Sequence, residues 1–366
     1  AWNWDALGRF AKLALIGTAM VAAHVGGYWL WKGSGRMPKL GHALMLLGTL
    51  IYGANIGLVA QIFHIHTDPS AGLAAWALGA AVAAWVLPSV PNGVLAAAIT
   101  TIWAPVFFEE HHSLYLLTPW MVAVPSFLLA WRMRSRVMFL ASVGATAWCL
   151  ALAAGFETGE PSAVALAILA CAAPLLALSL DPRGCVEFRT PARVVGTLGA
   201  VTVFYLVSFH EIAEELSFTE MQDEPVSWLG FALPAVLLAV ALFVWPVFRD
   251  REARRSDWFT LLSFWGCFFV PLALVPDDTE LWGALAANLI LAVLVILAIT
   301  SSVRTLERGL FWLGALLGGV VILSRFLEFE TELWLKAIVF LACGVAVIVV
   351  GRLFERHRLR AGEAGR

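Results

Sequence analysis

The stretch from Tyr52 to His66, YGANIGLVAQIFHIH, is apolar enough to sit in hydrocarbon, yet it carries Asn55, Gln61 and His64. Each has a chemistry that lipid cannot satisfy. A carboxamide donates and accepts hydrogen bonds, and an imidazole exchanges protons near pH 6.5. Ionisable and polar groups inside a membrane span mark solute or proton pathways by default. A second group comes from SRFLEFETE. There Arg325 lies seven residues beyond Gly318 of the Gly314–Gly318 GxxxG pair, about 20° from the same helical stripe, and Glu328 lies one turn further. On that stripe a guanidinium would meet a carboxylate or an anionic ligand, although near a helix end it can also snorkel to water. The candidate substrate- or proton-binding residues are therefore Asn55, Gln61, His64, Arg325 and Glu328. The plainer alternative is that they are interhelical hydrogen bonds of about 0.6–2 kcal/mol each.

Other clusters carry less. FEEHHS holds Glu109, Glu110, His111 and His112, and SFHEIAEEL holds His210, Glu211, Glu214 and Glu215. Histidines with carboxylates suit a divalent metal. However, HEIAE places Glu214 where a zincin helix needs its second histidine. His210, Glu211 and Glu214 are the nearest approach to a metal set, and neither a metal nor any other cofactor is expected. Asn288, on the stripe Ala284–Asn288–Ala292, reads as glue between helices, and His24 is open to either reading. The five cysteines share no close spacing and read as small packing residues.

The elements that must position these groups follow from composition. Of 366 residues, 61% are hydrophobic and 14% charged. A soluble domain is nearer 45–50% apolar and about 25% charged, so the expected solvent is lipid. No basic run is interleaved with aromatics and no glycine-rich loop precedes a lysine, which argues against nucleic-acid and ATP-driven roles. Apolar runs of bilayer length occur thirteen times, at roughly 10–31, 40–65, 70–87, 92–108, 114–131, 137–155, 162–180, 192–210, 227–248, 258–275, 281–303, 309–326 and 333–353. Without period-two alternation, and with backbone groups that must pair inside lipid, these are helices. The expected fold is an all-α polytopic transmembrane bundle forming one integral membrane domain over 1–366.

Charge then alternates from loop to loop. Lys32, Arg36 and Lys39 follow the first span, and Arg132, Arg134 and Arg136 the fifth. Further arginines follow the seventh, ninth and eleventh spans and close the chain, whereas the intervening loops hold Asp68, Glu109, Glu110, Glu157, Glu160, Asp277 and Asp278 without a cation. The positive-inside rule puts the arginine loops in the cytoplasm of a bacterial inner membrane, with the visible N-terminus outside and the C-terminus inside. Loops such as FRDREARRSDW also suit anionic lipid headgroups. The chain opens AWNWDALGRF, with neither an initiator Met nor a signal peptide, so trimming or a missing upstream segment is expected. A faint repetition, LLGTLIYG…FHIH in the second span against VVGTLGA…FHEI in the eighth, suggests a duplication of 1–155 and 162–353.

AWNWDALGRFAK followed by LLGTLIYGANIGLVAQIFHI resembles a bacterial family of predicted integral membrane proteins, catalogued as domain of unknown function 2157. That family shows A-x-NWD and then a GANI-x-L-x-AQI helix with a histidine at its end. The matching positions here are Ala1, Asn3, Trp4 and Asp5, then Gly53–Ile56, Leu58, Ala60–Ile62 and His64. The resemblance covers mainly the first 70 residues, with a weaker echo in SRFLEFETELWLKAIVFLACG. It implies a glycine-rich helix ahead of A-x-NWD, hence fourteen spans in the intact protein with both ends inside. It implies no activity and no catalytic residue.

The expected function is a secondary transporter or permease for a small solute or ion, with its polar site in the outer half of the membrane. The alternative is a non-transporting structural or assembly subunit, homo-oligomeric or joined to other membrane subunits; an enzyme or sensor stands behind both. Underlying the site is the expectation that Tyr52–His66 is walled in by neighbouring helices, because unsatisfied polar groups in hydrocarbon cost several kcal/mol.

Overall fold

The computed structural model describes residues 8–64, 68–110, 118–158, 161–180, 186–209, 212–213, 216, 234, 236, 258–273, 280–305, 308–328 and 333–364. Among these the chain is all-α, with no strand. The helices are α1 (Arg9–Tyr28), continued by a π-helical turn (Trp29–Gly33), α2 (Pro38–Phe63), α3 (Pro69–Val86), α4 (Val90–Glu110), α5 (Thr118–Met133) and α6 (Arg136–Thr158). They continue as α7 (Pro161–Leu180), α8 (Val186–Val207), α9 (Trp258–Ala273), α10 (Glu280–Thr305), α11 (Arg308–Glu328) and α12 (Leu333–Ala364). Eight are long and apolar enough to cross a membrane, and the apolar parts of α9 and α11 are shorter. Twelve of the thirteen expected spans thus coincide with helices. The span at 227–248 lies outside the described residues, apart from Pro234 and Val236.

Local chemistry sets the boundaries. α2 and α3 each open with a proline in the first turn, Pro38 and Pro69, where a missing N–H costs nothing. Ser135 precedes α6 and accepts the Met138 N–H through its hydroxyl at 3.3 Å, which caps that helix. Interior prolines occur in five helices, among them Pro105 in α4. Pro105 cannot donate to the carbonyl four residues earlier, Thr101, and the Trp148 indole of α6 donates to it instead at 2.9 Å.

The chain forms two compact units: Ala1–Cys171 with Cys185–Pro191 and Val226–Ala235, and Ala172–Gly184 with Ala192–Pro225 and Val236–Arg366. In the first, α1 and α2 form a close antiparallel pair through glycines. A methyl on Gly27 would lie 2.8 Å from the Gly41 carbonyl oxygen, and one on Gly41 2.6 Å from that of Gly27. α4, α5 and α6 share a core of Trp103, Ala104, Phe108, Val122 and Cys149.

In the second unit the GxxxG face of α11 packs on α10. A methyl on Gly314 would lie 2.8 Å from the Ala298 Cβ. α11 and α12 are joined by stacked rings of Phe311 and Phe354, 4.3 Å apart, and by a forked ion pair of Arg308 with Glu355 at 2.7 Å. Asn288 of α10 donates to the carbonyls of Ser208 and Ala284, both at 2.8 Å. It is the interhelical glue its stripe suggested.

Candidate functional site

The polar groups that the structure gathers lie in the layer α1–α2–α3, where α2 is flanked by the other two helices. Glycines on α2 are the reason they meet. Gly48 leaves a notch that the His24 ring of α1 fills, and Gly53 leaves one for the Trp76 indole of α3. His24 donates from Nδ1 to the Met20 carbonyl at 2.9 Å, which leaves Nε2 facing the Thr49 hydroxyl at 3.5 Å. The Thr49 hydroxyl donates to the Met45 carbonyl at 3.1 Å, and the Thr49 carbonyl accepts from the Trp76 indole at 3.0 Å. On the same layer Tyr52 packs against Gly79 of α3 and donates to the Ala75 carbonyl at 3.5 Å. This seam ties three helices together at the N-terminal half of α2, where Gly41, Met45, Gly48 and Thr49 are buried.

At its C-terminal half α2 is different. Asn55 is half-buried and lines an open groove of about 480 Å³ along α1 and α2, with Leu13, Met20, Tyr52, Ile56, Val59 and Ala60. Gln61 and His64 point elsewhere and are exposed. Within Tyr52–His66 the expectation of a helix walled in by neighbours is met only where Tyr52 and Gly53 pack on α3; Ala54, Gly57, Gln61 and His64 are exposed, and Ile65 and His66 lie outside the described residues. The reason is geometric: α1 and α3 pack on two sides of α2 and α4 touches it as well, yet one side of α2 stays exposed.

That exposed side has a regular composition. Between Ala43 and Gln61 the exposed residues of α2 are Ala43, Leu47, Leu50, Ala54, Gly57 and Gln61, and His64 continues the series. The steps are four and three in alternation, a period of 3.5 that keeps one narrow stripe facing outward. A methyl on Gly57 would meet nothing within 4 Å. Gly53 is not part of the stripe and faces Trp76.

His64 is not a helical residue. The helix ends at Phe63, and His64 takes the left-handed conformation (φ 53°, ψ 40°) with its N–H on the Ala60 carbonyl, as a helix cap. Arg325 and Glu328 lie in the last turn of α11, in the second unit, and their side chains fall outside the described residues. His210, Glu211 and Glu214 fall outside the described residues altogether. Among the described residues no three His, Cys, Asp or Glu side chains gather as a metal set. Of the five candidates, Asn55 and Gln61 share α2 without sharing a face, His64 caps that helix, and Arg325 and Glu328 belong to α11.

Sequence reasoning missed two members of the layer. Trp76 had no polar neighbour in sequence to mark it. Glu110 was read with the acidic outer loop. Its carboxylate instead accepts the hydroxyl of Ser70 and, at 3.5 Å, the Ser70 N–H, so it caps α3 from the far end of α4. Proline followed by serine at the start of α3 was the available signal.

Comparison with known proteins places this layer within a matched segment. The family described as Predicted membrane protein (DUF2157) matches residues 1–92, which contain α1, α2, α3 and the first residues of α4. No curated protein and no solved structure matches the chain.

Proposed function

We propose that this polytopic membrane protein is an interaction subunit whose α2 stripe receives another transmembrane helix. One observation carries the reading: Ala54, Gly57 and Gln61 stand in 3.5-residue register on an uncovered side of a membrane-spanning helix. Lipid gains nothing from small residues and a carboxamide there. A second helix does, because small residues admit its backbone closely and a carboxamide at the end of the stripe hydrogen-bonds across the contact. The polar interior supports the same reading, since Trp76 and Asn288 donate across helix contacts and His24 fills the notch at Gly48. The orientation proposed with it puts the arginine turns in the cytoplasm and the Asp68 and Glu110 end outside.

Cysteine scanning along α2 in native membranes tests this. Crosslinks are expected at Ala54, Gly57 and Gln61 and not at Asn55 or Val59, and Gly57→Leu should abolish them. Uniform crosslinking around the helix, or none, would remove the proposal.

A carrier is the second reading, favoured by the groove in which Asn55 is the polar group. It requires flux in proteoliposomes that falls with Asn55→Leu and is indifferent to Gly57→Leu.

A further inference from the structure

Where α1 gives way to α2, the chain concentrates positive charge. α1 runs on through the π-helical turn, the chain reverses at Gly35 (φ 63°), and α2 begins at Pro38. Lys32, Arg36 and Lys39 lie within this reversal, all exposed. Among the described residues no carboxylate pairs with any of them. The start of α2 adds to the imbalance. Its first turn holds no acid and Met37 offers no side-chain cap, so the partial positive charge of the uncapped N–H groups stands beside Lys39, where a helix disfavours a cation. Asp68 and Glu110 belong to the opposite end of the layer, about 40 Å away along α2.

Among the described residues, several other cationic side chains are already engaged. Arg136 donates to the Glu187 carbonyl at 3.1 Å and Arg134 lies 3.8 Å from its carboxylate. Arg132 lies 5.2 Å from the ring centre of Trp85, and Arg308 holds Glu355. At the α1–α2 reversal only Lys32 has such a neighbour, the Trp31 ring at 4.7 Å. Tyr28 and Trp29 are 51% and 61% exposed beside it. Exposed Tyr and Trp settle at the level of lipid headgroups, which brings the three cations to the depth of the phosphates.

We propose that the α1–α2 reversal binds the phosphate of an anionic phospholipid headgroup. Lys32 and Lys39 supply charge, Arg36 supplies a forked pair of donors for phosphate oxygens, and the opening N–H groups of α2 complete the site.

The test uses the full chain in phosphatidylcholine nanodiscs containing a minor fraction of phosphatidylglycerol, with retained lipid counted by native mass spectrometry. Wild type is expected to retain phosphatidylglycerol selectively. Each charge removed in Lys32→Gln, Arg36→Gln and Lys39→Gln should weaken retention about fivefold. The single Arg36→Gln variant keeps the test decisive if the triple variant does not fold. Equal retention by wild type and Arg36→Gln, equal loss on neutralising Arg352 and Arg356, or displacement of the lipid by inorganic phosphate would each overturn the assignment.

Discussion

His24 of α1 occupies the notch left by Gly48 of α2, so closely that a methyl on Gly48 would fall 2.5 Å from the His24 Cε1. The contact couples the two residues sterically. Gly48→Ala should therefore destabilise the α1–α2 pair by about 1–3 kcal/mol, the range for overpacking. In a His24→Ala background the same change should cost much less. Unfolding of all four variants in detergent would measure the coupling; additive costs would show that His24 and Gly48 do not share the notch.

His64 is held at positive φ as the cap of α2. Glycine adopts that conformation without a side-chain penalty, so His64→Gly should leave stability unchanged or raise it by up to about 1 kcal/mol. His64→Val should lower it, since a β-branched residue is an outlier there. A loss with glycine as large as with valine would mean that the imidazole, not the backbone, is what the position requires.

Asn288 joins α10 to the end of α8 through the Ser208 carbonyl. Asn288→Ala is expected to cost about 0.6 kcal/mol and at most about 1.7, the mean and maximum measured for hydrogen bonds between membrane helices. Thermal unfolding reports the cost, and cysteine pairs between α8 and α10 should crosslink less tightly in the variant.

Arg308 and Glu355 form a forked pair between α11 and α12. Arg308→Glu should lower the thermal midpoint, and the exchange Arg308→Glu with Glu355→Arg should recover much of it. Because the pair is exposed, high salt should narrow the gap between wild type and the single variant. A gap insensitive to salt would assign the effect to the stacked Phe311 and Phe354 instead.

Several features were legible in the residues alone because each depends on a short segment. An apolar run of bilayer length must be a helix whatever surrounds it, which is why α1 to α8 and α9 to α12 coincide with expected spans. The role of Asn288 was legible from its stripe of small neighbours, and the packing face of α11 from Gly314 and Gly318. The end of α2 was not. Phe63, His64 and Ile65 have no breaker among them, and only the backbone reveals that the helix stops one residue before the histidine.

What the amino-acid sequence determined by itself is the solvent of this protein, its all-α class and the polar residues that hydrocarbon cannot satisfy, because hydropathy and helical period are local properties. Which of those residues find partners was decided only by tertiary packing. Helical phase puts His24 and Asn55 each on some face of a helix, but only the crossing of α1, α2 and α3 seals the one against Gly48 and Thr49 and leaves the other in an open groove. The same packing leaves Gly57 and Gln61 exposed, since the helices that touch α2 do not close around it.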